Sequence, residues 1–128
     1  RIKGSVPFTP FTPTRYSPEY IATLSGRFPG LHFDLAVPAP DNVYGPSGAR
    51  DSTIFSGGRL DGHWKELIEK HADRFLASSD YRPPVERSYP EQITRQHKLI
   101  LEVLSEPARQ MVAYGNAWRL ITGESWKS

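Results

Sequence analysis

Residues 73–80 read Asp73-Arg74-Phe75-Leu76-Ala77-Ser78-Ser79-Asp80, an apolar stretch that runs into small residues and ends on a carboxylate. Such a run suits a short buried strand, and how it is joined to its neighbours decides the fold. Directly before it, Leu60, Trp64, Leu67, Ile68 and His71 recur at helical spacing, with Asp61 near the helix start, where a negative charge meets the positive end of the helix dipole. Further back, Leu31 to Val37 (LHFDLAV) reads as another buried strand. Strand, helix and strand in that order argue a parallel crossover and an α/β fold.

The strand at 31–37 has its own helix in front. Ser17 is an N-cap candidate, Pro18 fits the first helical position and Glu19 the first turn. Tyr20, Ile21, Leu24 and Phe28 then form an apolar face, and Pro29-Gly30 ends the helix. Between the two strands, Pro38 to Gly58 lacks periodicity and reads as a long loop of the kind that carries function. Asp41, Arg50, Asp51 and Arg59, spread along and just beyond it, either contact a substrate or keep the segment soluble.

Outward at the two ends, residues 1–16 form an arm with Pro7, Pro10 and Pro13 at spacing three, which favours extended or polyproline II geometry. Residues 17–128 form the folded unit. After a loop from Tyr81 to Tyr89, Pro90 opens a helix carrying Ile93, Ile100, Leu101 and Leu104. Ser105 is read as the cap of a following helix that Tyr114-Gly115 stops, and Asn116 as the cap of a last turn closed by Gly123.

Composition narrows the function classes. A net charge of +2 from 16 basic and 14 acidic residues leaves the arginines scattered, which argues against nucleic acid. The absence of cysteine excludes disulfides, a cysteine nucleophile and thiolate zinc, and suits a cytoplasmic location. No apolar run reaches membrane-spanning length. The N-terminus has no apolar segment of signal-peptide type, and a start at Arg1 rather than Met leads us to expect sequence upstream.

Asp80 is the sharpest chemical candidate. At the C-terminal end of a parallel strand it stands on the edge where α/β proteins keep their sites. There a carboxylate either binds a divalent metal and takes a proton, or simply caps the strand. Asp34, inside the first strand, faces a polar cavity, finds a partner or lies at the surface. The four histidines, His32, His63, His71 and His97, form no metal-binding pair by spacing, and a structural or exposed role suits each. His63 stays a substrate-contact candidate together with Arg82.

Two runs carry a resemblance. HADRFLASSDYRP (71–83) and LSEPARQMVAYGNAWRLITG (104–123) resemble the end of the amidohydrolase-related family, metal-dependent TIM-barrel hydrolases that include some decarboxylases. RFPGLHFDLA (27–36) is similar to that family's penultimate strand, and the likeness runs from about Tyr16 to Gly123. It implies that Asp80 ends the eighth strand as metal ligand and proton acceptor. It also implies that Asn116 and Arg119 are structural, a helix cap and an anchor, and that the cofactor is a divalent metal, with zinc expected.

The family's histidine ligands have no counterpart here: Gly4-Ser5-Val6-Pro7 stands where a His-x-Gly is expected. A full barrel takes about 250 residues. The expected fold is therefore the last strands and helices of a (β/α)8 barrel, incomplete in this chain. The expected function is the C-terminal part of a small-molecule hydrolase, inactive when isolated and binding no metal tightly on its own. Alternatives are a decarboxylase of the same family, or a noncatalytic interaction module that assembles with a partner chain. Open strand edges predict a homo-oligomer or a complex with the rest of a barrel.

Overall fold

The computed structural model of the chain describes residues 5–6 (backbone only), 17–35, 54–78, 90, 94 and 97–127. Helix α1 spans Pro18–Arg27 and begins as its sequence dictates: Ser17 accepts the Tyr20 N–H, and proline occupies the first turn. It buries Ile21 and Ser25, while Tyr20 and Phe28, expected on its apolar face, are exposed. Arg27 lies over the Phe28 ring instead.

Three short strands make a parallel sheet in the order β1 (Ser5–Val6), β2 (His32–Asp34) and β5 (Phe75–Leu76). Ser5 pairs with His32, Val6 and Phe75 both flank Phe33, and Asp34 pairs with Leu76. The register brings the Phe33 and Phe75 rings to 5.5 Å. Part of the stretch read as a proline-rich arm thus serves as a sheet strand.

A second sheet is the antiparallel hairpin β3 (Phe55–Ser56) and β4 (Arg59–Leu60). Its two-residue turn, Gly57-Gly58, has positive φ at both positions (58° and 76°), which glycine adopts without strain. This hairpin lies where the sequence reads as the end of a long loop. The Asp61 N–H donates to the Ile54 carbonyl and closes the hairpin onto helix α2, Gly62–Lys70. The Asp61 carboxylate caps α2 by accepting from the His63 and Trp64 amides.

The barrel expectation is corrected here. The described residues form three parallel strands of two or three residues, a separate antiparallel hairpin and packed helices, with no barrel. Three strands are too few to close on themselves, and a closed eight-stranded sheet needs that many tilted members. The strand expected over 73–80 is also shorter. Ala72–Arg74 form a 3-10 turn, and pairing is confined to Phe75–Leu76.

Past a 3-10 turn at Leu101–Val103, one continuous helix crosses the sheet: α3 (Glu106–Gln110), a π-helical turn (Met111–Gly115) and α4 (Asn116–Thr122). The stop expected at Tyr114-Gly115 is this π turn, in which the Asn116 N–H reaches back to the Met111 carbonyl. A Cβ at Gly115 would sit 3.3 Å from the Gln110 carbonyl oxygen, so glycine suits the wide turn. Gly123, with φ of 78°, ends α4 as a left-handed C-cap.

The core is one cluster in which Ile21, Phe33, Leu35, Ile54, Trp64, Ile68, Phe75, Ile100 and Val112 are all buried. Among the described residues no helix is long and apolar enough to cross a membrane.

Candidate functional site

The densest polar constellation gathers at the entry to β5. Arg74, buried at 9% exposure, turns its guanidinium toward the end of α1. It donates to the carbonyls of Ser25 (3.0 Å), Phe28 (3.4 Å), Leu31 (3.1 Å) and Pro29. The Ser25 carbonyl lies in the last turn of α1 and faces Pro29, which has no N–H to give, while Phe28, Pro29 and Leu31 follow the helix; a planar five-donor fork is suited to bind several such carbonyls at once. The Asp73 carboxylate lies 3.5 Å from the Arg74 Nε.

On the opposite side, Asn116 is 1% exposed. Its Nδ2 donates to the carbonyls of Ala72 (2.6 Å) and Phe75 (2.8 Å). Its Oδ1 accepts from Arg119 (3.3 Å), whose guanidinium also reaches the Asp73 carbonyl (3.4 Å). Two carbonyls fix which end of the amide carries hydrogen, and Arg119 fixes the other. Asn116 is therefore not the helix cap that its sequence position suggests. Its backbone is helical, and its side chain spans the gap between helix and sheet.

Directly after β5, the Ala77 N–H donates to the Val112 carbonyl in the π turn at 2.9 Å, while the Leu35 N–H donates to the Leu76 carbonyl at 2.8 Å. The residues leading toward Asp80 are thus held from two sides. Asp80 and Arg82 themselves lie outside the described residues.

His32 sits beside this cluster, 8% exposed, with Nδ1 3.2 Å from the Gly30 carbonyl. Burial pushes its imidazole below the ordinary histidine value; the Gly30 carbonyl opposes this, the Arg74 and Arg119 charges add to it, and Asp73 opposes it. His63 is exposed at the start of α2, its Nδ1 3.5 Å from the capping Asp61 carboxylate, and His97 lies 3.4 Å from Glu102. Neither points to shared chemistry with His32. Among the described residues no group of three or more His, Asp or Glu side chains could hold a metal ion. The described residues therefore do not by themselves build the divalent-metal site that the resemblance implies.

Three features escaped the sequence reading. Arg74 was legible as part of a motif, but a buried arginine beside a Pro-Gly turn is not visible as a helix-end clamp until the turn is placed. Ser105 holds the N-cap position of its helix as its sequence suggests, but its side chain does not cap it: its N–H and Oγ both donate to the Glu69 carboxylate of α2 at 2.6 Å. Last, Trp126 returns along α4 and packs against Tyr114 (5.1 Å) and Trp118 (5.2 Å).

Comparison of the chain with known protein families, with curated proteins and with solved structures finds no match.

Proposed function

We propose that this chain is the C-terminal part of a hydrolase of the amidohydrolase-related type, acting on an amide, ester or lactone. The supporting observation is the bond from Asn116 to the Ala72 and Phe75 carbonyls, with Arg119 on Asp73. The two runs that carry the resemblance, forty-one to forty-six positions apart, are in direct contact through their most characteristic residues. In this reading Asp80 is the proton acceptor. Its carboxylate takes a proton from a water whose oxygen bonds to the substrate carbonyl carbon, and passes it to the nitrogen or oxygen of the scissile bond, which breaks to release the amine or alcohol. Metal ligands, in this reading, come from residues outside those described.

The test is made on a longer protein that contains this chain. Asp80→Asn in that longer protein should abolish hydrolysis and leave the melting temperature nearly unchanged. An Asp80→Asn protein that keeps normal turnover, or a longer protein without further strands and histidines, counts against the reading.

A second reading is a noncatalytic module that assembles with a partner chain or with itself. It is favoured by the row of exposed apolar side chains, Met111, Tyr114, Trp118 and Ile121, along the outer face of the C-terminal helix. Sedimentation at micromolar concentration tests the self-assembling form of this reading, which requires a mass above that of the monomer in the isolated chain.

A further inference from the structure

The C-terminal helix turns an uncharged face outward. From Gln110 to Trp118 no residue carries a charge, although charged residues make up 23% of the chain, so this stretch is not the solvated face that a surface helix ordinarily presents. On its inner side Ala108, Val112 and Asn116 are buried. On its outer side Met111, Tyr114 and Trp118 keep 39–41% of their surface exposed, and Ile121 keeps 84%. Trp126 widens the same face. Gly123 ends the helix with φ of 78°, the Glu124 N–H donates to Thr122 Oγ1 at 3.1 Å, and the Trp126 ring packs 5.2 Å from Trp118 and 5.1 Å from Tyr114. Rings that brace one another lose less rotational freedom when the face is covered.

The order of these side chains names the occupant. Aliphatic Met111, aromatic Tyr114, aromatic Trp118 and aliphatic Ile121 read the same from either end, and their spacing is symmetric as well. A second copy laid antiparallel about a two-fold axis therefore sets Met111 of each copy beside Ile121 of the other, and Tyr114 beside Trp118. Such self-complementarity is what an isologous contact requires, and an unrelated partner has no use for it. We propose that the outer face of the C-terminal helix is a homodimer interface, in which two copies pair antiparallel across Met111, Tyr114, Trp118 and Ile121. The proposal rests on the self-assembling form of the second reading and names its surface and geometry; it is independent of Asp80 and of the hydrolase reading.

Area and composition agree with this occupant. The five exposed side chains offer on the order of 500 Å² in each copy, so pairing two copies covers about 1,000 Å², the least that a specific interface normally needs. Trp, Tyr and Met with no charge among them is the composition of an interface centre rather than of open surface. An interface of this size belongs to the weaker class, with a Kd on the order of 10 µM.

The experiment is sedimentation equilibrium of the 128-residue chain from about 1 to 500 µM. The expected result is a mass that rises from 14.5 kDa toward twice that value. Met111→Lys and Ile121→Glu, made separately, should each weaken association more than about tenfold, because each places an unpaired charge in the apolar contact. Both positions are exposed, so the fold survives either change. The double variant should regain most of the loss, since antiparallel pairing brings the new ammonium of each copy to the new carboxylate of the other. Within one chain the two positions stand about 15 Å apart along the helix and do not neutralise each other. Added salt should weaken the double variant more than the unaltered chain. A single mass at all concentrations overturns the proposal together with self-assembly, and leaves the face to a different partner. Association that Ile121→Glu does not weaken overturns the proposal alone, since the copies then meet elsewhere. A double variant no stronger than the single ones overturns the antiparallel pairing. None of these outcomes bears on hydrolysis, which Asp80→Asn tests.

Discussion

The side-chain amide of Asn116 donates to the carbonyl of Phe75 at 2.8 Å, fastening the C-terminal helix to the strand that precedes it by forty-one positions. The same Nδ2 also serves Ala72, so a single buried group satisfies two backbone acceptors at the point where a 3-10 turn becomes a strand. Acceptors in such a place have no water to turn to, and that makes the amide costly to remove.

Asn116→Ala should therefore lower stability by about 2–4 kcal/mol, from two buried carbonyls left without donors and a small cavity. Asn116→Asp should be worse than alanine at neutral pH, since a carboxylate oxygen would face those carbonyls. Urea unfolding followed by tryptophan fluorescence measures both. An aspartate variant as stable as the original would refute the bond assignment.

Arg74→Lys tests whether charge or shape matters at the end of α1. An ammonium group cannot reach carbonyls on Ser25, Phe28, Pro29 and Leu31 together, so lysine should recover little of the loss seen with Arg74→Met. The expected cost of methionine is about 2–4 kcal/mol. Full recovery by lysine would show that the fork geometry is unimportant.

His32 makes stability pH-dependent in one direction. Its folded value is lowered, so the unfolded chain binds more protons as pH falls below the ordinary value of 6.5. Stability should decline from there down to the folded value and then level off with respect to this group. His32→Gln should flatten that part of the profile, and NMR titration should place the His32 midpoint below 6.5.

Glu69 acts in a more acidic window. Burial alone would raise its carboxyl, but the Ser105 side-chain and backbone bonds and the nearby Lys65 together outweigh this and hold it below the ordinary value of 4.5. A depressed carboxylate contributes stability that is present above the unfolded value and disappears as pH falls through the folded one. Glu69→Gln should remove this contribution, seen as a smaller loss of stability on acidification below about pH 4.5.

Gly115→Ala probes the π turn. Its Cβ would press on the Gln110 carbonyl, so the helix must shift or narrow there, and the Val112 carbonyl would turn away from Ala77. Hydrogen exchange should then speed up at the Ala77 amide while Leu67 and Ile68 in α2 keep their protection. Unchanged exchange at Ala77 in a folded variant would mean that the turn does not hold the strand.

How much of this was legible in the sequence follows from how local each cause is. The start of α1 and the Asp61 cap depend on residues within three positions of each other; the Ser17 cap reads directly, and Asp61 reads as a charge at the start of α2, though not as its cap. The Gly57-Gly58 hairpin was also readable, since a glycine pair between short β-forming segments signals a two-residue turn, but a polar, proline-rich stretch around it suggested only loop. The barrel expectation failed for another reason. Strand motifs predict that apolar runs are extended, but not how many strands pair or how long each pairing is. Asn116, Arg74 and the Glu69–Ser105 bond act across thirty-six to forty-nine positions, where sequence spacing offers no guide. The candidate Asp80 was named from its strand-end position, and it lies outside the described residues.

The Arg74 clamp has a consequence for the order in which the chain takes shape. The carbonyl of Ser25 in the last turn of α1, and that of Leu31 beyond it, receive a donor from a residue forty-nine and forty-three positions later. During synthesis, a nascent chain that has emerged only as far as the hairpin holds α1 with the Ser25 carbonyl still without its Arg74 donor. Closing that long loop is entropically slow, so α1 cannot be a finished early unit. Its C-terminal turn and the start of β5 become protected together, late and as one cooperative step.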